Sequence, residues 1–130
     1  MSLIIENIIG VGDLESERVV MRVVNETTDI GDYAVLSVRS DGSSIHGGNI
    51  QRGYWLADRE CEVGDFVILY SKKGTRKQKK NSSGSTSHFF YWGLEQFRWR
   101  PGVNAAILIK LDNFRVKQPL SINSESVTED

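Results

Sequence analysis

Cysteine occurs once in the 130 residues, at Cys61, and histidine only twice, at His46 and His88. A single thiol closes no internal disulfide, which leads to the expectation of a reducing, cytoplasmic setting. Neither C-x-x-C nor H-x-x-x-H occurs, and a structural zinc site draws about four ligands from such paired spacings, so no metal and no cofactor are expected. The same scarcity of thiols and imidazoles argues against a catalytic constellation, and the chain reads as a non-enzyme without catalytic residues. Apolar runs such as Leu3 to Ile5 and Ala105 to Ile109 are far shorter than the roughly 18 residues that span a bilayer. Glu6 interrupts the apolar start and no basic n-region precedes it, so neither a signal peptide nor a membrane partner is expected.

A sustained 3.6-residue period is missing too, whereas alternation with period two recurs along the chain. Leu3 to Ile9, Arg18 to Val24, Tyr33 to Val38, Tyr54 to Ala57, Phe66 to Tyr70, His88 to Gly93, Ala105 to Leu111 and a half-exposed run around Phe114 and Val116 read as strands. Phe66 to Tyr70 is apolar on both faces and is therefore expected in the middle of a sheet. Ser40 to Gly53, with four glycines, reads as a long loop, and Ser43, Ser44 and His46 within it could cradle an anion through backbone N–H groups, although a plain connection explains them as well. About eight short strands of this spacing predict an all-β fold, an antiparallel β-sandwich spanning residues 1–118, with 119–130 as a disordered acidic tail.

The formal net charge is only −1, but its distribution is uneven: residues 1–66 carry 12 acidic against 5 basic side chains, and residues 67–130 carry 5 against 11. The cations concentrate in one stretch. Lys72, Lys73, Arg76, Lys77, Lys79 and Lys80 are followed by a polar spacer, Asn81 to Ser87, and then by Phe89, Phe90, Tyr91 and Trp92. Arg98, Trp99 and Arg100 repeat the pairing of cation and aromatic. Lysines and arginines neutralise phosphates, and aromatic faces accept stacked bases. The plainer reading is a solvated loop followed by a strand with one pair of rings in the core, either Phe89 and Tyr91 or Phe90 and Trp92. Asp58, Glu60, Glu62 and Asp65 form an acidic cluster with no histidine or lysine adjacent in sequence, and a solvated sheet edge accounts for them.

Several segments, taken in order, resemble the lamin-tail domain family. Glu17 to Asn25 is similar to that family's strand ending in Asn, Asp29-Ile30-Gly31-Asp32-Tyr33 stands in the place of its Asp-Leu-Ser-Gly-Trp turn, and Gly64 to Tyr70 resembles its Pro-Gly-Gly-Tyr-Val-Val-Leu stretch. Tyr91-Trp92-Gly93-Leu94, Trp99, Pro101-Gly102 and Ala105 to Leu111 resemble its closing pattern. The likeness is clearest over residues 17–112, and Tyr33, Asp32 and Val103 depart from it. It implies an immunoglobulin-like sandwich and a non-catalytic interaction module. The first expectation is a protein partner, held at a sheet edge or on exposed aromatics, with homo-oligomerisation through edge strands as one form of it. The alternative is DNA or single-strand binding through Lys72, Lys73, Arg76, Lys77, Lys79, Lys80, Arg98 and Arg100, with Tyr91, Trp92 and Trp99 as the aromatic contacts.

Overall fold

Hydrophobic alternation becomes two packed layers. The computed structural model describes residues 1–41 and 44–122, with the side chains at 46–48 excepted. In chain order the strands are β1 (Leu3–Ile9), β2 (Arg18–Val23), β3 (Thr28–Asp29), β4 (Tyr33–Ser40), β5 (Ile45–Trp55), β6 (Glu60–Cys61), β7 (Phe66–Tyr70), β8 (Lys77–Lys80), β9 (Thr86–Tyr91) and β10 (Asn104–Lys110), with one 3₁₀ turn at Ile30–Asp32. One sheet has the order β1-β2-β7-β9-β8, the second β10-β4-β5, and a two-residue ladder joins β3 to β6. Among the described residues no helix is long and apolar enough to cross a membrane.

The core lies between the two larger sheets. Val19, Met21 and Val23 of β2, Val67 and Leu69 of β7, and Phe90 of β9 point inward from the first, and Tyr33 and Val35 of β4 meet them from the second, with Leu56, Cys61 and Trp99 closing the cluster. In β1 the inward residues are Leu3, Ile5 and Ile8, a spacing of two and then three, because the register shifts between Ile5 and Asn7. That bulge lets one extra residue pass without turning the apolar side chains to solvent.

The all-β sandwich is as read from the sequence, and β7 is central as its two-sided apolar pattern implied. Ten strands rather than about eight are present among the described residues, and β7 runs parallel to β9, so the first sheet is mixed rather than purely antiparallel. The long loop expected from Ser40 to Gly53 is for the most part strand β5, paired antiparallel to β4 with two register shifts. Half of the cationic loop is likewise the edge strand β8, paired to β9. Residues 111–120, by contrast, contain no strand, and Phe114 and Val116 lie exposed. Phe114 is held instead by an edge-to-face contact with Trp55, ring centroids 5.0 Å apart. Ser43 and residues 123–130 lie outside the described residues, as does the side chain of His46.

Candidate functional site

Strand parity decides which aromatics face solvent. In β9, His88 and Phe90 are buried at 4 % and 0 % exposure, so Phe89 and Tyr91 stand on the outer face and remain half-buried. In β7 the same alternation buries Val67 and Leu69 and turns Phe66, Ile68 and Tyr70 outward. The parallel register sets Tyr70 opposite Tyr91 and Ile68 opposite Phe89. The Tyr70 and Tyr91 rings are 5.5 Å apart with planes 12° from parallel, and Tyr70 and Phe89 are 6.4 Å apart at 28°. Because neighbouring strands are about 4.8 Å apart, such near-parallel rings stand side by side, covering one another's faces and offering edges outward.

Cations take the remaining faces. Lys72 Nζ lies 5.1 Å from the Tyr70 centroid, the Arg18 guanidinium 5.7 Å from the same ring, and Lys77 Nζ 5.7 Å from Phe89. Each such contact contributes roughly 0.5–1 kcal/mol at exposed sites, and each orients a side chain that would otherwise sweep through many rotamers. The result is a groove of about 520 Å³ lined by Tyr70, Lys72, Lys77, Lys79, Phe89 and Tyr91. The loop leading to β8 approaches so closely that a Cβ on Gly74 would collide with the Tyr91 ring.

The expected cations therefore do not form one patch. Lys72, Lys77 and Lys79 share the groove with Tyr91. Lys73 lies 3.7 Å from Glu95, and the Arg76 guanidinium sits 5.8 Å from the Phe90 ring. Lys80 is exposed on β8, and by the two-residue period it points away from Lys77 and Lys79. Arg98 and Arg100 line a different pocket, with Arg52. Of the three expected aromatic contacts, Tyr91 lines the groove, Trp99 is 2 % exposed and belongs to the core, and Trp92 packs partly buried against that core between Tyr54, at 6.0 Å, and Trp99, at 6.1 Å. Tyr70 and Phe89 line the groove without having been among the expected site residues. Parity put Phe89 beside Tyr91, but only the pairing of β7 with β9 shows which pair is outside and adds Tyr70.

The reason Trp99 turns inward is Glu17. This carboxylate is wholly buried, and it accepts from Gly12 N and Trp99 N on Oε1, at 3.2 and 3.1 Å, and from Arg98 N and Ser71 Oγ on Oε2, at 2.7 and 2.5 Å. A segment without regular structure, residues 92–100, is thus fastened to the start of β2 by backbone donors that would otherwise have no partner. Gly93 N and Leu94 N add bonds to Lys72 O and Ser71 O, which carry the same fastening to the start of the cationic loop.

A second buried polar cluster departs from the expectation that the acidic residues have no histidine near them. Asp65 Oδ2 is 3.0 Å from His88 Nε2, and the carboxylate also accepts from Glu62 N and Thr86 N. Burial works to raise the Asp65 pKa, but the hydrogen bonds from His88, Thr86 and Glu62 outweigh it and the net shift is downward from 3.8. Cys61, Asp65 and His88 bring one ligand atom each within 4.8 Å of one another. Burial first, then the Asp65 charge, pushes the Cys61 thiol up to about 12. Burial thus favours the protonated thiol, and Asp65 is engaged in pinning the turn before β7 to the start of β9. These three residues are buried fold elements that share neither groove nor pocket with the outer-face cations. No protein-family model, curated protein or solved structure matches the chain.

Proposed function

We propose that the protein is a non-catalytic module that holds a nucleic-acid strand in the groove on the outer face of β7, β9 and β8, mainly through its phosphates. The observation that carries this reading is the placement of Lys72 and Lys77 over the Tyr70 and Phe89 rings, with Lys79 completing the rim. Aligned ammonium groups neutralise consecutive phosphates, and ring edges below them accept base or sugar contacts of low specificity. Because the ring faces are taken by neighbours and cations, base identity contributes little. The resemblance to lamin-tail domains supports an interaction module and names no ligand.

The test is the salt dependence of binding to a short single-stranded oligonucleotide. Three phosphate contacts give a log–log slope of about −2, less steep than six contacts would. Changing Lys72, Lys77 and Lys79 together to Gln removes the binding for all sequences alike, whereas Lys73→Gln with Lys80→Gln changes it little. Unchanged binding in the triple variant would reject the groove.

A protein partner is the second reading, and it has its own surface. The outer face of the second sheet aligns Ile109, Ala34 and Trp55 in one row and Ile107, Leu36 and Gly53 in the next. Trp55 is 52 % and Phe114 60 % exposed, more apolar surface than an isolated solvated sheet needs. A partner captured with nuclease present, lost in Trp55→Ser and kept in the triple lysine variant would favour this face. Self-pairing through the first sheet is opposed by its edges, since β8 carries three exposed lysines and β1 a bulge.

A further inference from the structure

Three arginines converge at one end of the sandwich, outside the groove. Arg52 of β5 and Arg98 and Arg100 of the fastened segment line a pocket of about 550 Å³ together with Glu95, Gln96 and Phe97. The Arg100 guanidinium stacks 4.5 Å from the Phe97 centroid, which fixes its plane and leaves its N–H edge available. Arg98 Nε is buried and has no hydrogen-bond partner among the described residues, and its Nη2 makes only a 3.4 Å contact to Gln51 Oε1. The one acidic side chain in the lining, Glu95, lies 3.7 Å from Lys73 Nζ and is drawn to that cation.

We infer that this pocket binds a phosphomonoester group, its terminal oxygens received by the guanidinium forks of Arg52, Arg98 and Arg100. A dianion with three terminal oxygens suits three planar forks better than a carboxylate, which carries one charge and two oxygens. The mutual repulsion of the arginines works in the same direction. Burial, and after it the charges of Arg52 and Arg100, lower the Arg98 pKa, and only Glu17 opposes them. An anion received in the pocket relieves that repulsion. Glu17 prepares the site from below, because it holds the backbone N–H groups of Arg98 and Trp99 and so fixes where the Arg98 side chain starts.

The inference does not depend on the groove, and the experiment keeps the two apart. Inorganic phosphate and a 5′-mononucleotide are titrated by calorimetry into the whole chain at constant ionic strength set with chloride. One saturable site is expected, weakened at least about tenfold (about 1.4 kcal/mol) by Arg52→Gln and by Arg100→Gln. Both side chains are exposed, and an unchanged circular dichroism spectrum shows that these variants are folded. Changing Lys72, Lys77 and Lys79 to Gln leaves this site intact even if it abolishes strand binding. Oligonucleotides with and without a 5′-phosphate then identify the source. A preference for the phosphorylated strand that disappears in Arg52→Gln points to a strand end, and equal binding of both strands with retained mononucleotide binding points to a free phosphomonoester. No saturable phosphate binding up to about 10 mM, or equal loss in the arginine and lysine variants, overturns the inference.

Discussion

Replacing Glu17 by Gln changes one atom and removes one charge, and its effect can be worked out from the four donors around the carboxylate. The amide must direct its NH₂ either toward Gly12 N and Trp99 N, neither of which can accept, or toward Ser71 Oγ and Arg98 N. The second orientation is the better one, because the Ser71 hydroxyl can rotate and accept. Arg98 N–H then faces an N–H and loses its acceptor. One orphaned and partly buried donor, together with the weakening of three bonds from carboxylate to amide strength, comes to about 2–3 kcal/mol. Glu17→Ala strands all four donors and leaves a cavity, about 4 kcal/mol or more, a large share of the roughly 5–15 kcal/mol typical of a domain. Urea unfolding followed by tryptophan fluorescence measures both, and Trp99 reports directly on the fastened segment. A Glu17→Gln variant within about 0.5 kcal/mol of the parent, at an unchanged denaturant slope, would show that the carboxylate does not act as the tie described.

Three further outcomes follow from the same geometry. Asp65 has a folded pKa below its value of 3.8 in the unfolded chain, so its contribution to stability is complete above that pH and is lost as pH falls through the lower folded value; acid unfolding of Asp65→Asn should therefore be shallower than that of the parent, and parallel curves would contradict this. Cys61, buried and with its thiol pushed up to about 12, should resist iodoacetamide at pH 8 in the native protein and react on unfolding; rapid native labelling, read by mass spectrometry, would contradict its burial. Gly74→Ala drives a methyl group into the Tyr91 ring, and since overpacking costs about 1–3 kcal/mol or displaces the loop, strand binding should weaken while the Arg52 pocket is unaffected; an unaltered groove would show that the loop has room to yield.

Legibility in the sequence followed hydrophobic parity. Strands β2, β4, β7 and β10 were readable because apolar residues recur in them at every second position, and β7 was readable as central because both of its faces are apolar. β8 and the part of β5 before Tyr54 were not, for a physical reason: Gly47, Gly48 and Gly53 in one and Lys77-Gln78-Lys79-Lys80 in the other carry no strand signal of their own. Both form because a neighbour presents an unpaired edge, β4 to β5 and β9 to β8, and backbone hydrogen bonds are indifferent to side chains. The Phe114 and Val116 alternation misled in the opposite direction, since one ring docking on Trp55 satisfies that segment without a ladder. For the candidate site, the wealth of cations and aromatics was evident, but their grouping was not. Only Arg98 separates Trp99 from Phe97 in sequence, yet a buried carboxylate 82 positions from Trp99 draws one into the core and leaves the other beneath Arg100.

We propose that the cationic, aromatic outer face of β7, β9 and β8 is where the molecule meets its ligand. A titration of the ¹⁵N-labelled chain with a short single-stranded oligonucleotide at low salt, followed by amide chemical shifts, tests it most directly. The shifts should concentrate at Tyr70, Lys72, Lys77, Lys79, Phe89 and Tyr91 and fade as salt is added. No shifts, or shifts confined to the face around Trp55 and Phe114, would contradict it.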